Sequence, residues 1–505
     1  MSEPVAPPVT AEDFQDLCLL VRSRVPIIVL ETHDESRALE MLTRLAVKEA
    51  LPLFNWSATD GLQQLGFGVG MPPAETDLTD PEQMLASIKK RREAGLYVLC
   101  DIHPWLKEPR VVRLLKDVAL RYREAGHTVV LLSHRLDIPP ELSRLAARVE
   151  MSLPDEEEIM AIVREEARLW QEANNGRRVK TDSRTLSHLL RSLRGLTHAD
   201  CRRLIRSAIF DGGSIADSDI PGMNRAKFEL MNLDGVLSFE YRTEQFADVA
   251  GMRNLRAWLD KRQGAVTGKT VATGLDKPKG MLLLGVQGAG KSLTARAVAG
   301  AWGIPLLRLD MAALYNKFIG ETERNLRESL RSAELMAPCV LWMDEIEKGL
   351  AGGDSDEGTS RRVLGSLLTW MADQRDGVFV VATANDVSAL PPELMRKGRF
   401  DETFFVDLPD AETRAEVFRI HLRRRGIESS GIDVAALAQL SDGYSGAEIE
   451  QVVVAALYRA AADKAPLDSA HLTTEIRATV PLSVTMAENI DALRAWAEGR
   501  SVPAN

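Results

Sequence analysis

The sequence predicts an α/β protein with two tandem domains, each combining a parallel sheet with a helical part. Short apolar runs alternate with helical patterns, as parallel sheets require. Segments of the second half also resemble segments of the first half at similar offsets. The chain has 505 residues, which is too long for one compact core and predicts about three globular units.

The composition describes an ordinary globular chain, with 45% hydrophobic and 27% charged residues. A net charge of −10 disfavours broad binding to nucleic acid or to anionic membranes. No apolar run is long enough to span a membrane, and no leader pattern is present, which predicts a cytoplasmic protein. The four cysteines are widely spaced in apolar surroundings and are predicted to be buried thiols. They are Cys18, Cys100, Cys201 and Cys339.

The pattern along the chain divides it into six segments. We predict a flexible tail (1–13), an α/β domain (14–154), a helical lid-like segment (155–210), a linker (211–240), a second α/β domain (241–410) and a helical C-terminal part (411–505). The strands expected in the first half are 25–31, 96–101 and 128–133, with a helix over 34–50. Residues 211–224 are rich in turn formers.

The internal repeat rests on matched segments in the same order. Pro-Pro-Glu-Leu occurs at 139–142 and at 391–394, an offset of 391 − 139 = 252. GLTHADC at 195 resembles GYSGAEI at 443, an offset of 443 − 195 = 248. Chance similarity between two α/β domains is the alternative explanation. We interpret the offsets as two related domains.

A phosphate-binding loop is predicted in the second half. GVQGAGKS (285–292) matches G-x-x-x-x-G-K-[ST], after an apolar strand and before a helical pattern. Backbone amides of such a loop surround phosphate oxygens, while Lys291 reaches the β- and γ-phosphates and Ser292 ligates Mg²⁺. The residues predicted to hold the nucleotide, ATP, are Gly285, Val286, Gln287, Gly288, Ala289, Gly290, Lys291, Ser292 and Leu293.

Five further side chains are predicted to serve phosphoryl transfer, one of them as a Mg²⁺ ligand. VLWMDE (340–345) is a buried strand ending in two acids, of which Asp344 would hold Mg²⁺ and Glu345 would orient the attacking water. Asn385 follows the next strand and would align the same water. Arg396 and Arg399 are placed to stabilise charge on the γ-phosphate, normally in a neighbouring subunit.

These motifs together resemble the classical AAA ATPases over about residues 245–465. The resemblance implies a P-loop AAA+ module, with a parallel sheet between helices and a small α-helical lid. It also implies adenine-side positions at Asp248, Gly251, His421, Gly446 and Ala447. Gly446 and Ala447 stand where other AAA+ branches carry an arginine sensor, so no such arginine is predicted.

The resemblance further implies pore loops and a ring, a homo-hexamer. NKFIGETERNL (316–326) resembles the first pore loop of the family, with Phe318, Ile319 and Gly320 at its centre. In the family this aromatic side chain grips polypeptide, although an isolated phenylalanine is more often a core residue. AGGDSDEGT (351–359) would be a second pore-facing loop or a plain flexible loop.

The first half departs from the pattern of the family. ETHDES (31–36) replaces the phosphate loop, Asp101 is followed by Ile102, and His134 replaces the sensor asparagine. We therefore predict a degenerate AAA-like domain that does not bind ATP. His33, His103 and His134 lack metal-ligand spacing, and the sequence predicts solvated or hydrogen-bonded histidines there.

Nearly the whole chain resembles one AAA family, first noted as an open reading frame of algal chloroplasts and found in cyanobacteria and other bacteria. The favoured hypothesis is a Mg²⁺-dependent ATPase ring that remodels an unknown protein client. The alternatives are an ATP-controlled switch or scaffold that binds a partner through its N-terminal half, and a nucleic-acid-linked loader or helicase. The last has little support, because only KKRR (89–92) and RRR (423–425) are basic clusters. No H-E-x-x-H protease motif is present.

Overall fold

The chain forms two compact units in a computed structural model. The structure describes residues 11–65, 75, 77–210, 212–231, 236–241, 243–244, 246–267, 276–315, 322–350, 357–373, 377–396 and 398–505. The first unit comprises Met1–Thr181 and Leu193–Ile215, and the second comprises Asp182–Ser192 and Ala216–Asn505. Within the described part of the chain, no helix combines the length and apolar character needed to cross a membrane.

The first unit contains a six-stranded sheet in the order β3-β2-β4-β5-β1-β6. Its strands are β1 (Ile27–Glu31), β2 (Leu53–Ser57), β3 (Gly61–Leu65), β4 (Gly95–Cys100), β5 (His127–Ser133) and β6 (Ala146–Glu150). All pairings are parallel except that of β2 with the edge strand β3. The two central strands β4 and β5 are buried along their whole length, as their apolar sequences require.

Helices cover this sheet and continue into the lid-like segment. The helices up to residue 210 are α1 (Ala11–Arg22), α2 (Glu35–Lys48), α3 (Pro81–Lys90), α4 (Pro109–Leu120), α5 (Tyr122–Ala125), α6 (Glu156–Ala173), α7 (Ser183–Leu193) and α8 (His198–Phe210). Of these, α7 falls almost wholly within the second unit. Aspartates cap the N-termini of α2 and α6. The Asp34 carboxylate accepts a hydrogen bond from the amide of Arg37, and Asp155 forms a capping box with Glu158.

The second unit contains a seven-stranded sheet in the order β13-β12-β8-β11-β10-β9-β7. Its strands are β7 (Leu237–Phe239), β8 (Gly280–Gly285), β9 (Leu306–Leu309), β10 (Cys339–Met343), β11 (Val378–Ala384), β12 (Glu402–Val406) and β13 (Val502–Pro503). The edge strand β7 is antiparallel to β9, and the other pairings are parallel.

Fourteen further helices of the second unit follow α8 among the described residues. They are α9 (Ile220–Leu230), α10 (Arg253–Asp260), α11 (Gln263–Val266), α12 (Lys291–Trp302), α13 (Met311–Tyr315), α14 (Thr322–Leu335), α15 (Ile346–Leu350), α16 (Glu357–Ala372), α17 (Ala411–Arg424), α18 (Val434–Leu440), α19 (Gly446–Ala462), α20 (Ser469–Ala478), α21 (Leu482–Thr485) and α22 (Ala487–Ala497). Helices α17 to α20 enclose a small core of their own, centred on Phe418 and Val453, as expected of a helical lid.

The predicted fold class is confirmed, and the four cysteines are free and buried as expected. Two local predictions are wrong. Residues 11–13 of the predicted tail belong to α1, where the Asp13 carboxylate accepts hydrogen bonds from the amide and hydroxyl of Ser152. The region 211–224 includes the start of α9, because Pro221 lies in a first helical turn, where its missing N–H costs nothing. Residues 1–10 of the tail lie outside the described residues.

Candidate nucleotide-binding site

A cleft of about 620 Å³ opens at the carboxyl edge of the second sheet. It is bounded by the phosphate loop, the ends of β10, β11 and β12, and the lid helices α17 and α19. The sequence-predicted residues that line it are Asp248, Gly251, Gln287, Gly288, Ala289, Gly290, Lys291, Ser292, Leu293, Asp344, Glu345, Asn385, His421, Gly446 and Ala447. Most of the predicted site residues therefore share one cleft within one unit.

The phosphate loop depends on glycine where the backbone passes close to its neighbours. A Cβ at Gly285 would lie 2.0 Å from the carbonyl oxygen of Val406 on β12, and the residue has a φ of 151°. Gly288 has a φ of 76°, and a Cβ there would lie 3.0 Å from the Ser445 hydroxyl. Larger residues would push strand β12 or the lid away from the loop.

Lys291 is the first residue of α12 and lies buried beneath the loop. Its ammonium group donates to the carbonyl oxygens of Gly285 (2.7 Å) and Val286 (2.8 Å). Burial lowers the pKa of Lys291 to about 8, while the nearby carboxylates of Glu347, Asp344 and Glu345 act in the opposite direction. Gly285 and Val286 thus contribute carbonyls that hold the lysine rather than surface that lines the cleft.

Asp344 and Ser292 form the predicted cation position. The Ser292 hydroxyl donates to the Asp344 carboxylate at 3.3 Å, and the hydroxyl of Thr383 donates to the same oxygen at 2.7 Å. Arg308 from β9 approaches the other carboxylate oxygen at 3.4 Å. A hydroxyl and a carboxylate facing phosphate-binding amides are oxygen ligands suited to Mg²⁺.

Glu345 and Asn385 are in direct contact. The side-chain amide of Asn385 donates to one Glu345 oxygen at 2.9 Å, and the ammonium of Lys348 binds the other at 2.6 Å. Glu345 has a left-handed backbone with a φ of 48°, which is uncommon for a non-glycine residue and is concentrated at functional sites. The Thr383 hydroxyl fixes this turn by accepting the amide of Glu345 at 3.0 Å.

Glu347 is a buried acid next to this pair that sequence reasoning missed. It is 4% exposed, and its carboxylate accepts the backbone amide of Asn385 at 2.9 Å. Burial raises the pKa of Glu347, against the lowering effect of the amide. Its contact positions Asn385 for the bond to Glu345.

The lid contacts the phosphate loop at its predicted glycine and alanine. The backbone amide of Ala447 donates to the carbonyl of Gly288 at 3.1 Å. His421 is largely buried, which lowers its pKa, and its ring lies 3.6 Å from Glu450. Asp248 and Gly251 also contact α17: Asp248 pairs with Arg423 at 3.1 Å, and the amide of Gly251 donates to Glu416 at 3.0 Å.

Arg396 and Arg399 do not line this cleft. Arg396 is exposed, and the guanidinium of Arg399 donates to the carbonyl of Leu368 on α16. Phe318, Ile319 and Gly320 lie outside the described residues, as do residues 351–356 of the second predicted loop.

Several other residues in and around the cleft were identified only from the tertiary structure. Pro503, Ala504 and Asn505 line the cleft because β13 pairs with β12 and the amide of Leu255 donates to the carbonyl of Ala504. Thr383 lies on β11 and Arg308 on β9, the two strands that flank β10, and both side chains contact Asp344. No sequence signal points to Thr383, which lies on a strand that is buried along its whole length, to Arg308 or to Pro503–Asn505.

Family models match four parts of the chain. A SpoVK-like AAA ATPase N-terminal domain matches residues 13–151, and a SpoVK-like second domain matches 157–234. The model of the ATPase family associated with various cellular activities matches 281–408, and an AAA+ lid domain matches 431–473.

Relatives align with nearly the whole chain. The "Uncharacterized AAA domain-containing protein ycf46" of Pyropia yezoensis is 33% identical, covering 96% of this chain and 98% of the relative. The protein of the same name from Trieres chinensis is 34% identical, covering 95% and 96%. The chain belongs to the AAA ATPase family. Its ycf46-like relatives share both halves, so this AAA ATPase has the same overall domain content as they do.

The ATPase half of the chain has further similarities. The proteasome-activating nucleotidase of Aeropyrum pernix is 41% identical over 194 residues, which cover 37% of this AAA ATPase and 47% of the relative. Family membership supports ATP binding and ATPase activity, and the cleft described above supplies the side chains that such chemistry uses.

Proposed function

We propose that the chain is a Mg²⁺-dependent ATPase that assembles into a homo-hexameric ring and remodels a protein client. One observation carries the proposal: a single cleft combines a buried lysine under a glycine loop, a carboxylate beside a hydroxyl, and a glutamate held by an asparagine. This set combines phosphate binding, cation binding and water activation, which together constitute nucleotide hydrolysis.

Each side chain has one role in the proposed hydrolysis. Lys291 exchanges its two carbonyl partners for phosphate oxygens, and Ser292 and Asp344 hold Mg²⁺, which supplies positive charge to the phosphates when it is bound. Glu345 orients and polarises the attacking water, and Asn385 keeps the Glu345 carboxylate aimed at that water.

The arginines argue for assembly of several copies. Arg396 and Arg399 lie outside the cleft of their own chain. They can therefore meet a γ-phosphate only if it is bound in the cleft of another copy. An arginine supplied in this way stabilises the charge of the transition state. The proposed homo-hexamer gives each cleft the arginines of its neighbour.

Two features support a protein client. The loop carrying Phe318, Ile319 and Gly320 has the family pattern of a polypeptide-gripping segment. Relatives of the ATPase half include a protein named for activating the proteasome and a Cell division cycle protein 48 homolog of Archaeoglobus fulgidus. We therefore infer that nucleotide cycles move the Phe318 loops along a polypeptide.

A mixing experiment tests catalysis between neighbouring chains. Glu345→Gln retains its arginines but cannot activate water, while Arg399→Ala retains its water-activating carboxylate but lacks the finger. Each protein alone should bind ATP and turn it over poorly. A mixture that exchanges subunits should regain part of the wild-type rate, because some interfaces then combine an intact Glu345 with an intact Arg399.

The control is Arg144→Ala, which removes the arginine two residues after the first Pro-Pro-Glu-Leu, the counterpart of Arg396 in the first half. It should hydrolyse ATP at the wild-type rate. Full turnover by Arg399→Ala alone would contradict the shared site, as would a mixture no faster than its two components.

The client is tested separately with Glu345→Gln used as a trap in the presence of ATP and Mg²⁺. Client proteins should co-purify with this variant and be lost when Phe318→Ala is added. Equal capture by both variants would instead support the switch or scaffold, with recognition by the N-terminal half.

A further inference from the structure

A cluster of metal-binding side-chain types lies at the carboxyl edge of the first sheet. Asp101 and His103 follow β4, and His134 follows β5. One ligand atom from each of the three side chains lies within 4.8 Å of the other two. The residues are separated by up to 33 positions in the sequence, so adjacency of β4 and β5 in the sheet, and not local spacing, brings them together.

Ser133 binds all three side chains at the centre of the cluster. Its hydroxyl donates to the Asp101 carboxylate at 2.8 Å and lies 2.9 Å from Nδ1 of His103 and 3.4 Å from Nδ1 of His134. The serine is 3% exposed. A buried hydroxyl with three partners holds the carboxylate and both rings towards one point, as the outer groups of metal sites do.

The separations suit a small ion. A tetrahedral ion with bonds of about 2.1 Å needs donor atoms about 3.4 Å apart. The candidate ligand atoms of the three side chains lie within 4.8 Å of one another, so modest side-chain rotation closes the site. The ring of His33, which follows β1, is centred 5.7 Å from that of His134 and offers a further nitrogen.

Neighbouring groups leave the cluster available to a cation. Among the described residues, no lysine or arginine forms an ion pair with Asp101. Cys100 is not a competing ligand, because its thiol is buried and its sulfur donates to the Asn55 side chain at 3.2 Å. Asp101 and His134 are exposed, so an ion can enter from solvent.

The backbone at this edge repeats the geometry of the ATPase cleft. Asp101 has a left-handed φ of 52°, and Glu345 has one of 48°. The first residue pairs of the two central strand pairs, Gly95 with His127 and Cys339 with Val378, define equivalent positions in the two sheets. Counted from Gly95 and Cys339, Asp101 is equivalent to Glu345. Counted from His127 and Val378, His134 is equivalent to Asn385. The first unit thus has a carboxylate and an imidazole at this edge, where the second unit has a carboxylate and an amide.

We propose that Asp101, His103 and His134 bind a divalent transition-metal ion of the Zn²⁺ class, with Ser133 as the positioning residue. Two imidazoles and one carboxylate are borderline ligands that favour zinc and its neighbours over Mg²⁺ or Ca²⁺. Three protein ligands leave a coordination position open to solvent. The site is independent of ATP and goes beyond the ATPase function.

The test titrates Zn²⁺ alone into metal-stripped full-length protein against a chromogenic chelator. We expect one tight site per chain, and a weakening of more than a hundredfold in Asp101→Asn, His103→Ala and His134→Ala. Ser133→Ala should weaken binding by about ten- to a hundredfold. The matched control is His188→Ala, which removes a histidine from another His–Asp pair, 3.0 Å from Asp217, and should bind Zn²⁺ like the parent.

A second measurement on the unaltered protein guards against variants that misfold. Co²⁺ bound at a site with two histidines and a carboxylate gives intense visible absorption that hexa-aqua Co²⁺ lacks, and Zn²⁺ should abolish it. Absence of this absorption, or unchanged Zn²⁺ affinity in the folded His103→Ala and His134→Ala variants, would overturn the proposal.

Discussion

The two sheets share one strand order but differ in what stands at their carboxyl edges. The first sheet runs β6-β1-β5-β4-β2, and the second, apart from its additional edge strand β13, runs β12-β8-β11-β10-β9. An antiparallel edge strand follows in each sheet. The buried strands differ in sequence yet adopt the same arrangement. Packing of apolar strands therefore fixes the frame, whereas a few residues after each strand fix the chemistry.

Strand β8 and its counterpart in the first sheet, β1, show this difference at the position of the phosphate loop. In the second sheet β8 ends in Gly285 and leads to Lys291. In the first sheet β1 ends in Glu31, whose carboxylate accepts the amide of Leu136 at 2.7 Å and pairs with Arg148 at 2.6 Å. A carboxylate at this position repels phosphate, so the first unit is expected not to bind ATP.

The largest expected effect concerns the arginine that only the second repeat carries. Arg399→Ala should lower the ATPase rate constant about 10³-fold at unchanged nucleotide affinity, because a finger arginine acts mainly on the transition state. Steady-state hydrolysis and binding of a fluorescent nucleotide measure the two quantities. The first repeat has Ala147 at this position, and a small effect of Arg399→Ala would remove that distinction between the repeats.

Glu345→Gln should come next, with turnover reduced about 10²–10³-fold and ATP binding retained. The amide keeps the shape of the side chain but cannot polarise water. Single-turnover hydrolysis measures the chemical step directly. Glu393→Gln, an exposed glutamate in the second Pro-Pro-Glu-Leu, is the control and should match the parent, and comparable losses in both variants would contradict the assignment.

The glycine at the end of β8 should matter for stability. Gly285→Ala places a Cβ 2.0 Å from a backbone oxygen and should cost about 3 kcal/mol, since overpacking and backbone strain add. Gly303→Ala also has a positive φ, 65°, but its Cβ meets nothing within 4 Å, so it should cost only about 1 kcal/mol. Thermal unfolding of both variants measures the difference, and equal midpoints would argue against the close approach of β12.

The smallest expected effect is a pH dependence of ATP binding. The pKa of Lys291 is about 8 in the free protein, and bound phosphates raise it by adding negative charge. The bound state then holds more protons, so affinity should fall above pH 8 by up to tenfold per pH unit. Calorimetry in buffers of different ionisation enthalpy should detect proton uptake.

Lys291→Arg provides the control for that pH effect, because a guanidinium stays charged throughout. Its ATP affinity should be lower at pH 7, since the longer, planar group fits the loop less well, but flat between pH 8 and pH 9. A parent protein with equally flat affinity would mean that the lysine remains charged in the free cleft.

Much of the second unit could be predicted because its signals are local. A glycine loop between a strand and a helix, and acids directly after an apolar run, mark the sheet edge without reference to distant residues. Strands β2, β3 and β9 escaped prediction because Asn55, Gln63 and Arg308 interrupt their apolar character. Pairing of β2 with β4, of β3 with β2 and of β9 with β10 compensates for this weak local preference.

The sequence by itself determined the fold class, the repeat and the identity of the phosphate loop, because periodicity and short motifs encode strands, helices and turns. Only the tertiary structure decided that Glu347 supports Asn385, that Pro503–Asn505 wall the cleft, and that Asp101, His103 and His134 converge on Ser133. These contacts join strands and helices that are remote along the chain. Their geometry follows from the order of strands in each sheet, and this order cannot be deduced from the spacing of residues in the sequence.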